Sequence, residues 1–425
     1  MLKKTICRLM AGTIFSLFTL TSSAYATCTI PQDRPIDVFA RPVGAINTQV
    51  FVDKIQETVG DDVMGYVVIL RGKNGRRLAE IDYGYGRTPC EPEGVQKFNR
   101  NTVVSWASVS KMITTAAVLH KVEKSENHRL TDRIINYLPD KWEIQSCSGE
   151  SNRCWRYVNV QHLLNYQSGF RKSGGRTFQQ RLESSGAVTE GRIGKRSYNN
   201  SHFSIWHYMG GFFAPKKMEK AEAEYQQGEI TYDDYIFALT RSIWKNYLQK
   251  NIYDPIGVQG ACSDVSIGGN NFAKLYNSNS SKRGYKPNEL DTSNCASGGV
   301  VMSAKDMSIF IYSLTQTNKI ISRGLYDQTL ALTNKDVSGW NGSFDVAGGY
   351  AFRKAGGASA KKPSRLPDNS YSGSVGAQVM AFPNGMTAVM VINSKRPKDS
   401  QWSLKTTLAD AYNAGVAAKP RRTSP

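Results

Sequence analysis

Ser108 and Lys111 stand three residues apart in Ser105-Trp106-Ala107-Ser108-Val109-Ser110-Lys111, directly before the apolar run at residues 112–119. That run holds no Pro, Gly or charge and reads as a buried helix. Residues three apart share one face of a helix. A serine at such an end lies near unpaired backbone N–H groups and the positive pole of the helix dipole. A lysine one turn on can take the hydroxyl proton if burial or nearby positive charge keeps it neutral. The pair is equipped for acyl transfer, although an N-capping serine beside a solvated lysine shows the same spacing. Two other stretches offer polar groups to such a centre. Tyr198-Asn199-Asn200 follows a flexible stretch and precedes a helical one. Tyr371-Ser372-Gly373-Ser374-Val375-Gly376 opens a strand whose small residues let its backbone approach a bound substrate. Taken singly, these read as a turn asparagine beside a packed tyrosine and as a flexible strand entry.

These groups need elements to hold them. Residues 66–70 and 78–83 flank a turn at Lys73-Asn74-Gly75 and predict a hairpin. Residues 98–106 lead into the Ser108 helix. A short helical piece starts at Leu130 and ends at Leu138-Pro139, and residues 158–165 form another helix closed by Gln167-Ser168-Gly169. Residues 171–195 are rich in Gly, Ser, Arg and Gln and read as a loop. Residues 203–253 are mostly helical, with a charge-dense, solvated excursion at 214–235. Asn294-Cys295-Ala296-Ser297-Gly298-Gly299 has no chemistry of its own and precedes a helix starting near Ser303, with Asp306 in its first turn. Residues 377–382 and 386–392 are strands joined at Pro383-Asn384-Gly385, and residues 404–414 close the chain as an amphipathic helix. No internal repeat is present. Strands at both ends with helices between predict an α/β (α+β) fold: one antiparallel sheet built from both termini, flanked by helices, with an inserted mainly helical region.

The chain's 425 residues suffice for one large or two ordinary domains. Residues 1–26 read as an export signal, with Lys3, Lys4 and Arg8 ahead of an apolar stretch and Ala24-Tyr25-Ala26 as the cleavage site. The apolar stretch is short for a membrane span, and Thr27 before Cys28 argues against lipidation. The expected division is 1–26 signal peptide, 27–418 one domain and 419–425 a basic tail. Within the domain, an α/β part covers about 45–112 and 290–415, and a helical part about 113–289. Of seven cysteines, Cys7 would leave with the signal. Cys28, Cys90, Cys147, Cys154, Cys262 and Cys295 remain, an even set in an oxidising compartment. Spacing favours Cys147–Cys154 as a local loop, with Cys28–Cys90 and Cys262–Cys295 as the other pairs, though six cysteines allow other connectivities. No Cys/His cluster has zinc spacing and only five histidines are present, so no metal centre is expected. The net charge is +19, and loss of Lys3, Lys4 and Arg8 would lower it by three. Such an excess favours solubility and anionic partners such as an envelope polymer. The basic residues are scattered without aromatic interleaving, so no nucleic-acid partner is expected.

Order and spacing together say more. The sequence resembles the serine β-lactamase and penicillin-binding protein-like superfamily, and within it the class C β-lactamase-like family, which includes D-amino-acid peptidases and esterases. The resemblance spans roughly residues 61–414 and rests on motifs in sequence. Ala107-Ser108-Val109-Ser110-Lys111 is similar to the nucleophile motif, which the fold pairs with a Lys-Thr-Gly triad. Residues 158–170 resemble the helix ending in Ser-Gly, and Tyr198-Asn199-Asn200 the Tyr-x-Asn motif. Tyr253-Asp254-Pro255-Ile256-Gly257 resembles the Pro-Leu-Gly turn, and residues 296–306 the Gly-Gly…Ser-x-x-Asp segment. Tyr371-Ser372-Gly373 takes the place of the Lys-Thr-Gly or His-Thr-Gly triad.

The resemblance implies that Ser108 attacks a carbonyl carbon while Lys111 and Tyr198 share its proton, the tyrosine lowered in pKa by the lysine. It implies that Asn200, Tyr371, Ser372 and Gly373 contact substrate. The N–H groups of Ser108 and Ser374 would form an oxyanion hole, worth several kcal/mol in comparable sites. Neither metal nor organic cofactor is required. Tyr371 carries no charge where a cation or imidazole is expected, so efficient β-lactam hydrolysis is not expected; Arg171, Lys172 or Arg176 are the candidate replacements. The function implied is an exported serine hydrolase, an esterase or amidase on envelope-linked acyl or D-amino-acyl groups. A D-alanyl-D-alanine carboxypeptidase or weak β-lactamase is the alternative. A silent cell-wall-binding protein is a further one, against which the intact Ser108, Lys111 and Tyr198 speak. The substrate would be a peptidoglycan-type peptide, an acyl ester or a β-lactam.

Overall fold

The computed structural model describes residues 28–142, 157–170, 188, 190–226, 228, 230–262, 264–286, 295–331, 338–361 and 372–418. The expected signal peptide and basic tail lie outside them, as do Cys147, Cys154, Arg171, Lys172, Arg176 and Tyr371.

The hairpin expected from alternating residues around Gly75 forms as β2 (Gly65–Arg71) and β3 (Arg77–Arg87), preceded by β1 (Ile36–Ala40) and α1 (Thr48–Val59). The chain continues through β4 (Gln96–Lys97), β5 (Val103–Ser105) and α2 (Ser110–Lys124). A helical stretch follows: α3 (Val160–Leu164), α4 (Ser201–Ser204), α5 (Gly210–Phe213), α6 (Pro215–Glu224) and α7 (Tyr232–Leu248). Next come β6 (Gly260–Cys262), β7 (Val300–Ser303), α8 (Ala304–Gln316) and α9 (Arg323–Ala331). Strands β8 (Gly342–Val346), β9 (Gly349–Lys361), β10 (Ser372–Ala381) and β11 (Thr387–Ile392) lead to α10 (Leu404–Ala417).

The main sheet is antiparallel in the order β1-β3-β2-β11-β10-β9-β8. Its centre is the pairing of β2 with β11, Tyr66 opposite Ile392 and Val67 opposite Val391. The two ends of the chain therefore close one sheet. Both central strands are buried on both faces, which is why each reads as a nearly unbroken apolar run. Tyr66, Val68 and Leu70 pack with Phe51, Ile55, Leu408 and Tyr412 of α1 and α10. Val67 and Ile69 turn the other way, into the core that holds Ile113, Met307 and Phe310 of α2 and α8. A small sheet, β5-β7-β6, carries the chain into α2.

Several expectations are refined. The helix at 158–165 is trimmed to α3, held by a capping box between Asn159 and His162. The charged excursion contains α6, which buries Met218 and Ala221 and exposes its lysines. The thirteen-residue β9 has no counterpart in the sequence reading, because Gly349, Gly356 and Gly357 interrupt its pattern. Cys28 is bonded to Cys90 and Cys262 to Cys295, with Cα atoms 5.6 and 5.4 Å apart. Among the described residues no helix is long and apolar enough to cross a membrane.

Candidate active site

Ser108 is presented by a tight turn between a pinned strand and a buried helix. β5 ends at Ser105; the next residue, Trp106, is buried and its indole Nε1 donates to the Met302 carbonyl at 3.0 Å. Ala107 then adopts a φ of 44°, a left-handed conformation that costs a residue with a Cβ about 1 kcal/mol or more and persists only where its surroundings enforce it. Residues Ala107–Val109 form a 3-10 turn that runs into α2. Residues three apart share one face of such a helical start, so Ser108 and Lys111 are presented on the same side. Ser110 clamps the turn: its Oγ donates to the Ala107 carbonyl at 2.6 Å and accepts from Val300 N at 3.0 Å.

Three distant side chains converge there. Lys111 Nζ lies 3.0 Å from Ser108 Oγ, and the Tyr198 hydroxyl donates to the same Oγ at 2.9 Å. Lys111 is fully buried, and its Nζ also donates to Asn200 Oδ1 at 2.9 Å and to the Ser297 carbonyl. Burial pulls the Lys111 ammonium down to about 7. For Tyr198 the expectation was the opposite of what the structure gives. Burial pushes its phenol up, outweighing the lowering by the Ser108 hydrogen bond and the Arg196 charge. The group poised to be a base near neutrality is the lysine, and the tyrosine remains a hydrogen-bond donor.

Asn200 is exposed, and its Oδ1 turns inward to accept from Lys111 Nζ. The carbonyl of Ser297 was missed altogether, in a segment expected to be inert. That segment is fixed by the Cys262–Cys295 bond and by Thr114 Oγ1 donating to the Ala296 carbonyl at 2.8 Å. His207 Nε2 accepts from Ala296 N at 3.0 Å. The small residues Ala296-Ser297-Gly298-Gly299 were the available signal, since only small side chains let a backbone carbonyl reach a buried amine.

The third stretch needs correction. Tyr371 lies outside the described residues, and Ser372 pairs with Lys361 in the sheet. Gly373 is close-packed, but against protein: a Cβ there would sit 2.2 Å from the Leu275 carbonyl oxygen. Ser374 cannot serve an oxyanion hole, because its N–H donates to the Tyr276 carbonyl at 3.1 Å. Its side chain points to the α10 face, where Oγ donates to the Ala358 carbonyl at 3.2 Å. The strand that meets Ser108 is β9. A Cβ on Gly356 would fall 2.4 Å from the Trp106 carbonyl oxygen and 3.2 Å from Ser108 N. Ala355 N donates to Asn341 Oδ1 at 2.8 Å, off the edge of β9 away from β10. By alternation Gly357 points its N–H off the same edge, beyond the point where β8 stops. Lys354 is fully buried; its Nζ donates to the Tyr166 hydroxyl at 2.7 Å and lies 5.1 Å from the Tyr198 ring centre. Tyr166 packs on Tyr198 with ring centres 5.0 Å apart. Lys354-Ala355-Gly356 has the Lys-x-Gly form that Tyr371-Ser372-Gly373 lacks, and that was the signal in the sequence.

Residues 51–413 match the Beta-lactamase family. Among solved structures the chain is similar to FmtA from Staphylococcus aureus, at 16% identity and a TM-score of 0.58 over 88% of this chain and 93% of that one. It is similar to a class C beta lactamase from Rhodobacter sphaeroides, at 14% identity and 0.58 over 87% and 100%. A beta-lactamase/D-alanine carboxypeptidase from Pseudomonas syringae gives 14% identity and 0.57 over 89% and 99%. No curated protein matches the chain. At these identities the likeness to solved structures speaks to the fold alone.

Proposed function

The chain belongs to the beta-lactamase family, and on that premise we propose that it is an exported serine hydrolase working through a Ser108 acyl-enzyme, as an esterase or amidase on envelope-linked acyl or D-amino-acyl groups. The observation that carries this reading is the meeting of Lys111 Nζ and the Tyr198 hydroxyl on Ser108 Oγ, at 3.0 and 2.9 Å. Residues 27–418 are taken as one catalytic domain, and two disulfides support an oxidising destination.

A neutral lysine amine has two N–H bonds and one lone pair. Here the N–H bonds serve Asn200 Oδ1 and the Ser297 carbonyl, which leaves the lone pair for the Ser108 hydroxyl proton. Ser108 gives that proton to Nζ and attacks the substrate carbonyl carbon. The oxygen that becomes negative is received by the N–H groups of Ser108 and Gly357. The proton on Lys111 passes by way of the Tyr198 hydroxyl to the leaving oxygen or nitrogen. Water then repeats the sequence on the acyl-enzyme and releases the acid.

A D-alanyl-D-alanine carboxypeptidase or weak β-lactamase is favoured by one observation. Arg196 is exposed, two residues from Tyr198, and its charge acts on that phenol, so a cation is at hand for a substrate carboxylate. The test is intact-mass detection of a Ser108 adduct with phosphonates, penicillins and D-Ala depsipeptides, together with p-nitrophenyl acetate turnover. Ester turnover and a phosphonate adduct, both lost in Ser108→Ala, are expected. Penicillin adducts without ester turnover would favour the second reading, and no adduct with any reagent would overturn both.

A further inference from the structure

We propose that the face of β9 and β10 turned away from Ser108 carries a binding groove for a phosphate-bearing polymer. The groove is a cavity of about 640 Å³ between these strands, the loop after β11 and the start of α10. Its floor is the alternate set of strand residues, Ala355, Ser374 and Gly376 among them, which face α10. Gly376 keeps that floor low, since a Cβ there would press within 3.1 Å of Leu404 and Ile392 side-chain atoms.

The walls are cationic. Lys395, Arg396 and Lys398 stand on the loop, Lys405 on α10 and Arg353 on β9, and no carboxylate lines the cavity. Asp399 of the same loop is exposed and is not part of the wall. Among the described residues no carboxylate pairs with Lys395, Arg396, Lys398 or Lys405. Lys395 Nζ is steadied by Asn277 Oδ1 at 2.7 Å, Arg396 by the Trp402 carbonyl, and Lys405 by the Phe344 ring at 5.6 Å. The groove therefore gathers cations with no carboxylate on its walls, a positive potential that favours an anion. Charges on both walls exceed what one carboxylate can neutralise, which points to a chain with repeated anions. The donors are ammonium and guanidinium groups arriving from several directions, since the Ser400 hydroxyl already donates to the Pro397 carbonyl and Ser403 caps α10. A tetrahedral phosphate accepts from all of them, whereas a planar carboxylate suits a single fork. Bound there, the polymer would lie behind the strand that seats Ser108, so the groove holds a chain without occupying the site that cuts it or its substituents.

The test uses the folded chain without its signal and three probes: long-chain sodium polyphosphate, polygalacturonate and phosphatidylglycerol vesicles, each titrated over a range of salt. Lys395→Ala/Lys398→Ala/Lys405→Ala is compared with Lys216→Ala/Lys217→Ala/Lys220→Ala, which removes as much charge from the exposed face of α6. Melting temperatures confirm that both variants fold. The expected result is polyphosphate binding weakened about tenfold in the groove variant, with the slope of log Kd against log salt reduced by about two. The α6 variant should lose less than about twofold, in line with diffuse screened attraction. Equal losses in the two variants, no loss in the groove variant, or groove-dependent binding that prefers polygalacturonate or vesicles would overturn the proposal.

Discussion

If Lys111 is the base, the acylation rate must follow its neutral fraction. With the amine drawn down to about 7 by burial, that fraction rises as pH rises. One unit below the midpoint only about a tenth of the molecules hold a lone pair, and one unit above it about nine-tenths do. The kcat/KM for p-nitrophenyl acetate should therefore climb with unit slope up to about pH 7 and level off above about pH 8. Lys111→Arg keeps charge and length but has no lone pair at any pH. It should lose about a hundred- to ten-thousandfold in rate, the span general bases contribute, and lose the rise with pH. Stability provides a second readout that does not depend on turnover. The folded amine titrates at about 7 and the unfolded one at 10.5, so between those values the unfolded chain binds more protons. Stability must then increase with pH across that window and stay level below it, by of the order of 5 kcal/mol in total. The melting temperature of the wild type should rise relative to Lys111→Met between pH 7 and 9. A flat rate profile, a midpoint near that of a free lysine, or parallel melting curves would refute the assignment.

Gly356→Ala places a methyl group 2.4 Å from the Trp106 carbonyl oxygen, so it should displace the Ser108 turn and cut kcat/KM about a hundredfold, measured by ester turnover alongside circular dichroism. Tyr198→Phe keeps the packing on Tyr166 but removes the hydroxyl at 2.9 Å from Ser108 Oγ; kcat/KM should fall about a hundredfold with the melting temperature nearly unchanged. Lys274 is buried between Glu91 and Glu93 at 2.6 and 2.7 Å, and Lys274→Met should cost about 3–5 kcal/mol in denaturant unfolding because Glu91 is left as an uncompensated buried charge.

What could be read from the sequence was what repeats locally. α2 was legible because ten successive residues from Ser110 to Leu119 are buried and carry no break. β2 and β11 were legible because both of their faces are covered, and α8 because Ser303 caps it, accepting from Asp306 N at 3.0 Å. The pairing of Ser108 with Lys111 followed from spacing alone. The arrival of Tyr198 followed only from the order of motifs, since nothing in its own neighbourhood shows where the chain returns. The Ser297 carbonyl was invisible for a different reason: a main-chain acceptor has no residue type to announce it.

The misplaced third strand shows where such reading fails. A strand presents alternate residues to opposite faces, so its chemistry depends on parity as much as on composition. In β10 the glycine and serine pattern suggested an approach to substrate, yet Val375, Ala377 and Val379 take the face toward α2 and send Ser374 and Gly376 to α10. In β9 the same alternation turns Lys354 and Gly356 toward Ser108, and Arg353 and Ala355 toward the cationic groove. One run of four residues thus serves two faces. Its even positions must be small or buried to seat the nucleophile, while its odd positions remain open to charge. Gly356, one of the glycines that blurred β9 as a strand, is the residue that lets it lie against the Ser108 turn.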